Sequence, residues 1–103
     1  MSKSKKQVRE NFRNAVFERD NHTCVFCDIS EDLDAHHITD RTLMPNGGYV
    51  KENGITLCHE HHKMAEEFHQ TDEAQDGFCP VDLYLKIDSS YDLAARKAEG
   101  EKE

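Results

Sequence analysis

The chain has 103 residues, a formal net charge of −8, no Trp, and 36% hydrophobic against 33% charged residues. A chain this short holds one domain (1–103) with a thin core, and a thin core calls for a metal staple. No apolar run approaches the ~20 residues that span a bilayer, and the basic N-terminus lacks a signal-type apolar stretch, so the expectation is a cytoplasmic protein with no membrane partner.

Residues 1–6 read as a disordered basic tail. Over 7–19, Val8, Phe12, Ala15 and Val16 form a helical stripe with Arg9 and Arg13 off it. Asp20-Asn21-His22 is turn-rich and ends this helix before Cys24-x2-Cys27, a chelating knuckle. Asp28 to Asp34 is acidic and loop-like. Ala35-His36-His37-Ile38 reads as a short strand, Pro45-Asn46-Gly47-Gly48 as a turn, and Tyr49-Val50-Lys51 as a second strand. From His59 to Gln70 the pattern turns helical, which makes 20–70 a ββα unit. In the extension, 71–103, Pro80 opens a helix to about Ile87, and a last exposed helix runs from Asp92 to Glu99 before a fraying Gly100–Glu103 end.

The negative total argues against a general nucleic-acid binder, but the charge is uneven. Residues 1–20 carry a net +3, which leaves −11 on the remainder. The basic end is therefore the expected phosphate-contacting surface, with modest, salt-dependent affinity, and Arg19 and Arg41 are candidate phosphate contacts.

Cys24, Cys27, Cys58 and Cys79 allow two disulfides in a secreted protein, or metal chelation in an intracellular one. Cys-x2-Cys spacing is short for a bridge and natural for zinc. Cys24, Cys27, Cys58 and His61 supply two C-x2-[C/H] knuckles separated by 30 residues, enough to close one tetrahedral structural Zn²⁺ site. His59 and His62 also lie within reach of Cys58; His61 is preferred because its spacing matches the first knuckle. Cys79 has no partner at ligand spacing and reads as a free thiol packed as a small apolar residue.

Within the segment that this zinc would clamp lies a second set. Adjacent His36 and His37 on a strand point to opposite faces, so they can divide labour: His36 as ligand of a divalent ion, His37 as general base. His62, at the start of the following helix, supplies a second ligand, and the two leave open positions for water and phosphate. Asn53 has donor and acceptor groups to tie the loop and hold the His37 ring. Glu66 and His69 share the face of His62, where they read first as a solvated helix face and second as an extra ligand or supporting partner. His22 and His59 read as surface residues.

These residues resemble the HNH endonuclease family, which has a ββα-metal fold (the His-Me finger). The matching text is Arg19-Asp20 before Cys24-x2-Cys27, then Ala35-His36-His37-Ile38, Gly47-Gly48-Tyr49-Val50, and Asn53-Gly-Ile-Thr-Leu-Cys58-x2-His61-His62, over residues 12–69. The resemblance implies His36 and His62 as ligands of a catalytic Mg²⁺, Mn²⁺, Ni²⁺ or Zn²⁺, His37 as base, and Asn53 as the family's central Asn. It implies a metal-dependent DNA endonuclease or nickase that leaves 5′-phosphate and 3′-hydroxyl ends. A bacterial or phage origin is implied too, with other proteins of a phage packaging or restriction complex as further partners. His61 departs from the pattern, standing where the four-cysteine members carry a cysteine. The eight residues between Asn53 and His62 match the family spacing and place His62 on the catalytic side. The rival reading is a non-catalytic zinc module that binds DNA or protein through its basic first helix; it leaves His36, His37 and Asn53 without a purpose.

Overall fold

A computed structural model describes residues 4–100 as a small α+β fold of four α-helices and one two-stranded antiparallel sheet. Helix α1 spans Lys5–Arg19, capped by the Ser4 hydroxyl, which accepts from Gln7 N–H at 3.1 Å. Residues 4–6, expected as tail, thus belong to the cap and first turn; residues 1–3, and the fraying expected at 101–103, lie outside the described residues. Strand β1 (Leu33–His37) pairs with β2 (Gly54–Cys58), with His37 opposite Gly54 and Leu33 opposite Cys58. Helix α2 (His59–Thr71) follows β2 directly, and α3 (Pro80–Lys86) and α4 (Tyr91–Glu99) complete the chain.

The second strand is not where the sequence pattern put it. Tyr49–Lys51 is no strand: the chain from Arg41 to Asn53 coils through three short 3₁₀ turns. Asn46, Gly47 and Gly48 all have positive φ, and a Cβ on Gly48 would stand 2.7 Å from the Asn53 amide nitrogen, so this bend requires glycine. The true strand, Gly54–Cys58, is buried at every position and shows no alternation to read. Helix α1 covers one of its faces. A Cβ at Gly54 would collide with Val16 and Phe12, and the Thr56 hydroxyl donates to the Val16 carbonyl at 3.3 Å. Helix α2 packs on the other face of the sheet, and Ile55, Leu57, Ala65, Phe78 and Leu83 join one core there.

Arg19 and Asp20 lock α1 to this strand. Arg19 donates to the carbonyls of Lys51 and Gly54, and Asp20 accepts from Thr56 N–H at 3.0 Å while pairing with Arg19. Arg19 is therefore spent on the fold rather than offered to phosphate. The last helix is not merely exposed either. Ala94 and Ala98 of α4 are fully buried, and Asn46 donates to the Ala98 carbonyl at 2.9 Å. No helix among the described residues is long and apolar enough to cross a membrane.

Candidate metal centres and cleft

The knuckle after α1, the end of β2 and the first turn of α2 bring Cys24, Cys27, Cys58 and His61 together, with their ligand atoms within 4.8 Å of one another. Two sulfurs each about 2.3 Å from one tetrahedral ion stand about 3.8 Å apart. Cys27 Sγ and Cys58 Sγ are 3.8 Å apart, and His61 Nδ1 lies 3.2 Å from Cys58 Sγ and 3.5 Å from Cys24 Sγ. That is a chelating separation, far beyond the ~2.05 Å of a disulfide, and all four cysteines are free. Burial pushes the Cys24 thiol up, but N–H groups of Cys58, Phe26 and Cys27 outweigh it and hold it at about 7, so this sulfur is ready to bind as thiolate. The cluster could hold zinc. His61 packs beside the stacked pair of Phe26 and Phe78, its ring near-parallel to both. Cys79 is free, half-buried, and precedes α3 as its N-cap residue.

A second set lies one residue further along α2. His36, His62 and Glu66 place ligand atoms within 4.8 Å of one another. Glu66 Oε2 stands 3.5 Å from His36 Nδ1 and 3.4 Å from His62 Nε2, close to the ~3.4 Å expected of N and O ligands on one tetrahedral ion. His36 is 2% exposed, and neither of its ring nitrogens has a hydrogen-bond partner. A buried imidazole without a partner is costly, and a cation between these three side chains would relieve it. Burial, then the neighbouring imidazoles of His62, His69 and His37, hold the His36 pKa down at about 3, so the ring is neutral and able to ligate at any ordinary pH. The residues fit a divalent ion.

One support of this set, Asp34, has no role in the sequence reading. Asp34 Oδ2 lies 3.1 Å from His62 Nδ1, which fixes the proton there and turns the Nε2 lone pair toward Glu66. Asp34 sits two residues before His36 on β1 and so shares its face, a period-2 signal that was available. Glu66 and His69 are not a solvated face: Glu66 joins the cluster, while His69 Nε2 donates to the His37 carbonyl at 2.9 Å and its ring stacks on His36.

His37 faces the opposite side. Its ring stacks on Phe12 at 4.3 Å and meets Tyr49 edge-on. Nε2 is buried without a partner. Burial, then the Arg41 charge, hold its pKa at about 4 against an opposing pull from Asp40, so it too is neutral near pH 7. Asn53 does not hold this ring. Fully buried, it donates to the carbonyls of Thr39 and Gly48 and accepts from Thr39 N–H and the Tyr84 hydroxyl, tying the loop to α3.

Because β1 has a free edge, one cleft runs past both of its faces. His37 and His62 line it together, with Arg9, Arg13 and Arg41 on its walls. No family model, curated protein or solved structure matches the chain. The functional reading therefore rests on this geometry and on the motif text.

Proposed function

We propose that the protein is a metal-dependent DNA endonuclease or nickase of HNH type, with β1, β2 and α2 as its ββα-metal unit. The observation that carries the reading is the shared cleft. A strand residue able to act as base, His37, and a residue of the three-ligand set, His62, open onto the same basic hollow although they belong to different faces of the sheet.

In this reading the cluster of three cysteines and His61 holds a structural zinc and clamps the segment between residues 24 and 58. His36, His62 and Glu66 hold the catalytic ion, and Asp34 orients His62. A divalent ion bound there supplies a Lewis acid for the phosphate oxygens. His37 takes a proton from the attacking water; with Nε2 buried, Nδ1 is the acceptor. Its depressed pKa makes it a weaker base than a free imidazole, but one that stays unprotonated in mild acid. Asn53 acts through the loop it ties, not by touching the base.

The test is cleavage of supercoiled plasmid under titration with Mg²⁺, Mn²⁺ or Ni²⁺. Wild type is expected to nick, and His37→Ala to lose about 10²–10⁴-fold in rate. His37→Gln, which keeps a polar side chain of similar size beside Phe12, guards against a folding artefact. Equal cutting by all three proteins would sink the base assignment, and no cutting by wild type with any metal would favour the non-catalytic zinc module.

A further inference from the structure

The cleft at His37 does not end there. A second hollow adjoins it, sharing Arg9, Arg41 and Tyr49 and extending to Lys5 and Asn46. The two form one trough, with α1 as one wall and the 3₁₀ coil after β1 as the other. Lys5, Arg9 and Arg13 recur every four residues, so they share one helix face and step along the trough at a rise of about 6 Å each. Arg41 faces them from the opposite wall, its guanidinium held by the Tyr49 hydroxyl at 2.9 Å.

The charge of this trough opposes that of the chain. Four cations line it on a protein of net charge −8. Among the described residues none of the four forms an ion pair; the one Arg or Lys pair is Arg19 with Asp20. Arg13 lies over the Phe17 ring at 4.8 Å, a contact that leaves its N–H donors unspent. Asp34 is the one carboxylate on the lining, and it is engaged by His62. Unpaired cations at regular spacing, on both walls of a concave path, are kept available for a linear polyanion rather than for the fold.

We infer that the trough is a track for the sugar–phosphate backbone of one nucleic-acid strand, which enters beside Lys5 and is delivered to His37. It rests on the nuclease reading for its direction, but the binding itself needs no catalysis. The three cations of α1 span about 12 Å, enough to meet three or four successive phosphates of one strand at 3.4 Å of helix axis each. A membrane surface presents the same phosphate chemistry, but a concave path between two walls admits a strand and not a flat bilayer.

The experiment is fluorescence anisotropy of zinc-loaded protein with a labelled DNA duplex, without added divalent ions, the duplex being checked intact on a gel afterwards. With four phosphate contacts the slope of log K against log salt is expected near −3.6. Arg9→Gln and Arg41→Gln should each weaken binding about tenfold and reduce the slope by about 1. Lys63→Gln and Lys86→Gln, outside both hollows, should leave K and slope within twofold. The track is overturned if wild type does not bind DNA, or if the Lys63 and Lys86 variants lose as much as the Arg9 and Arg41 variants. It is also overturned if vesicles of acidic phospholipid bind as tightly and show the same losses. Binding that follows Arg9 and Arg41 without plasmid cleavage would remove the nuclease and leave the track; cleavage with binding indifferent to them would do the reverse.

Discussion

Adjacent residues of one helical turn, His61 and His62, serve two clusters of different build. The first cluster is closed: four side chains from two knuckles, soft sulfur donors, and an imidazole packed against a pair of aromatic rings. The second has three donors of harder character, one supporting carboxylate, and a side open to a basic cleft. Four protein ligands leave nothing for substrate to replace, whereas three leave coordination positions free. In the proposed reading, this difference separates a site that holds the chain from a site that acts on a substrate.

The largest effect that can break this contrast comes from the closed cluster. Cys58→Ser or Cys24→Ser is expected to abolish the cooperative melt, because a structural zinc contributes an apparent ~10–16 kcal/mol in small domains and this core is thin. His62→Ala should keep one zinc per chain by elemental analysis and shift the melt only slightly. If His62→Ala unfolds the protein and Cys58→Ser does not, the two roles are exchanged.

The next effect concerns the open cluster. Asp34 touches no ion in the proposed arrangement, and it acts only by holding the His62 ring. Asp34→Ala is expected to weaken divalent-ion binding at the second site 10–100-fold in calorimetric titration, with the zinc content unchanged. Asp34→Glu, which preserves the carboxylate, should recover part of the loss. Unchanged affinity in Asp34→Ala would show the contact to be incidental.

How much of this was legible follows the range of the interactions. Helices α1 and α2 were readable because stripes such as Phe12 and Val16 repeat at helical spacing within one segment. The knuckle ligands were readable because coordination chemistry fixes short spacings. β2 was not, since burial on both faces removes the alternation that marks a strand; Ile-Thr-Leu-Cys as a short continuous apolar run was the remaining signal. Asp20 beside Arg19 was visible as a neighbour, but the two carbonyls that commit Arg19 to the fold, those of Lys51 and Gly54, are more than thirty residues away. Glu66 was placed on the correct helix face, but only the packing of α2 against β1 decides that this face meets His36 instead of water.

The smallest expected effect tests whether the extension beyond α2 belongs to the open cluster at all. Tyr84 of α3 donates to Asn53 Oδ1 at 2.7 Å and shares a 2.6 Å hydrogen bond with the Thr39 hydroxyl. Burial pushes the Tyr84 phenol above its ordinary pKa, so it is a donor at every working pH. Tyr84→Phe removes the hydroxyl without opening a cavity, and Asn53 Oδ1 keeps its bond from Thr39 N–H. The loss is therefore two hydrogen bonds, to Asn53 and with the Thr39 hydroxyl, about 1–2 kcal/mol, at roughly 4–8 °C in melting temperature per kcal/mol for a domain of this size. Zinc content should not change. Because Asn53 ties the loop that carries Tyr49 and Arg41 toward His37, plasmid nicking should fall by less than in His37→Ala but measurably, through turnover rather than metal affinity. A variant that melts and cuts like wild type would show that the loop holds its shape without α3.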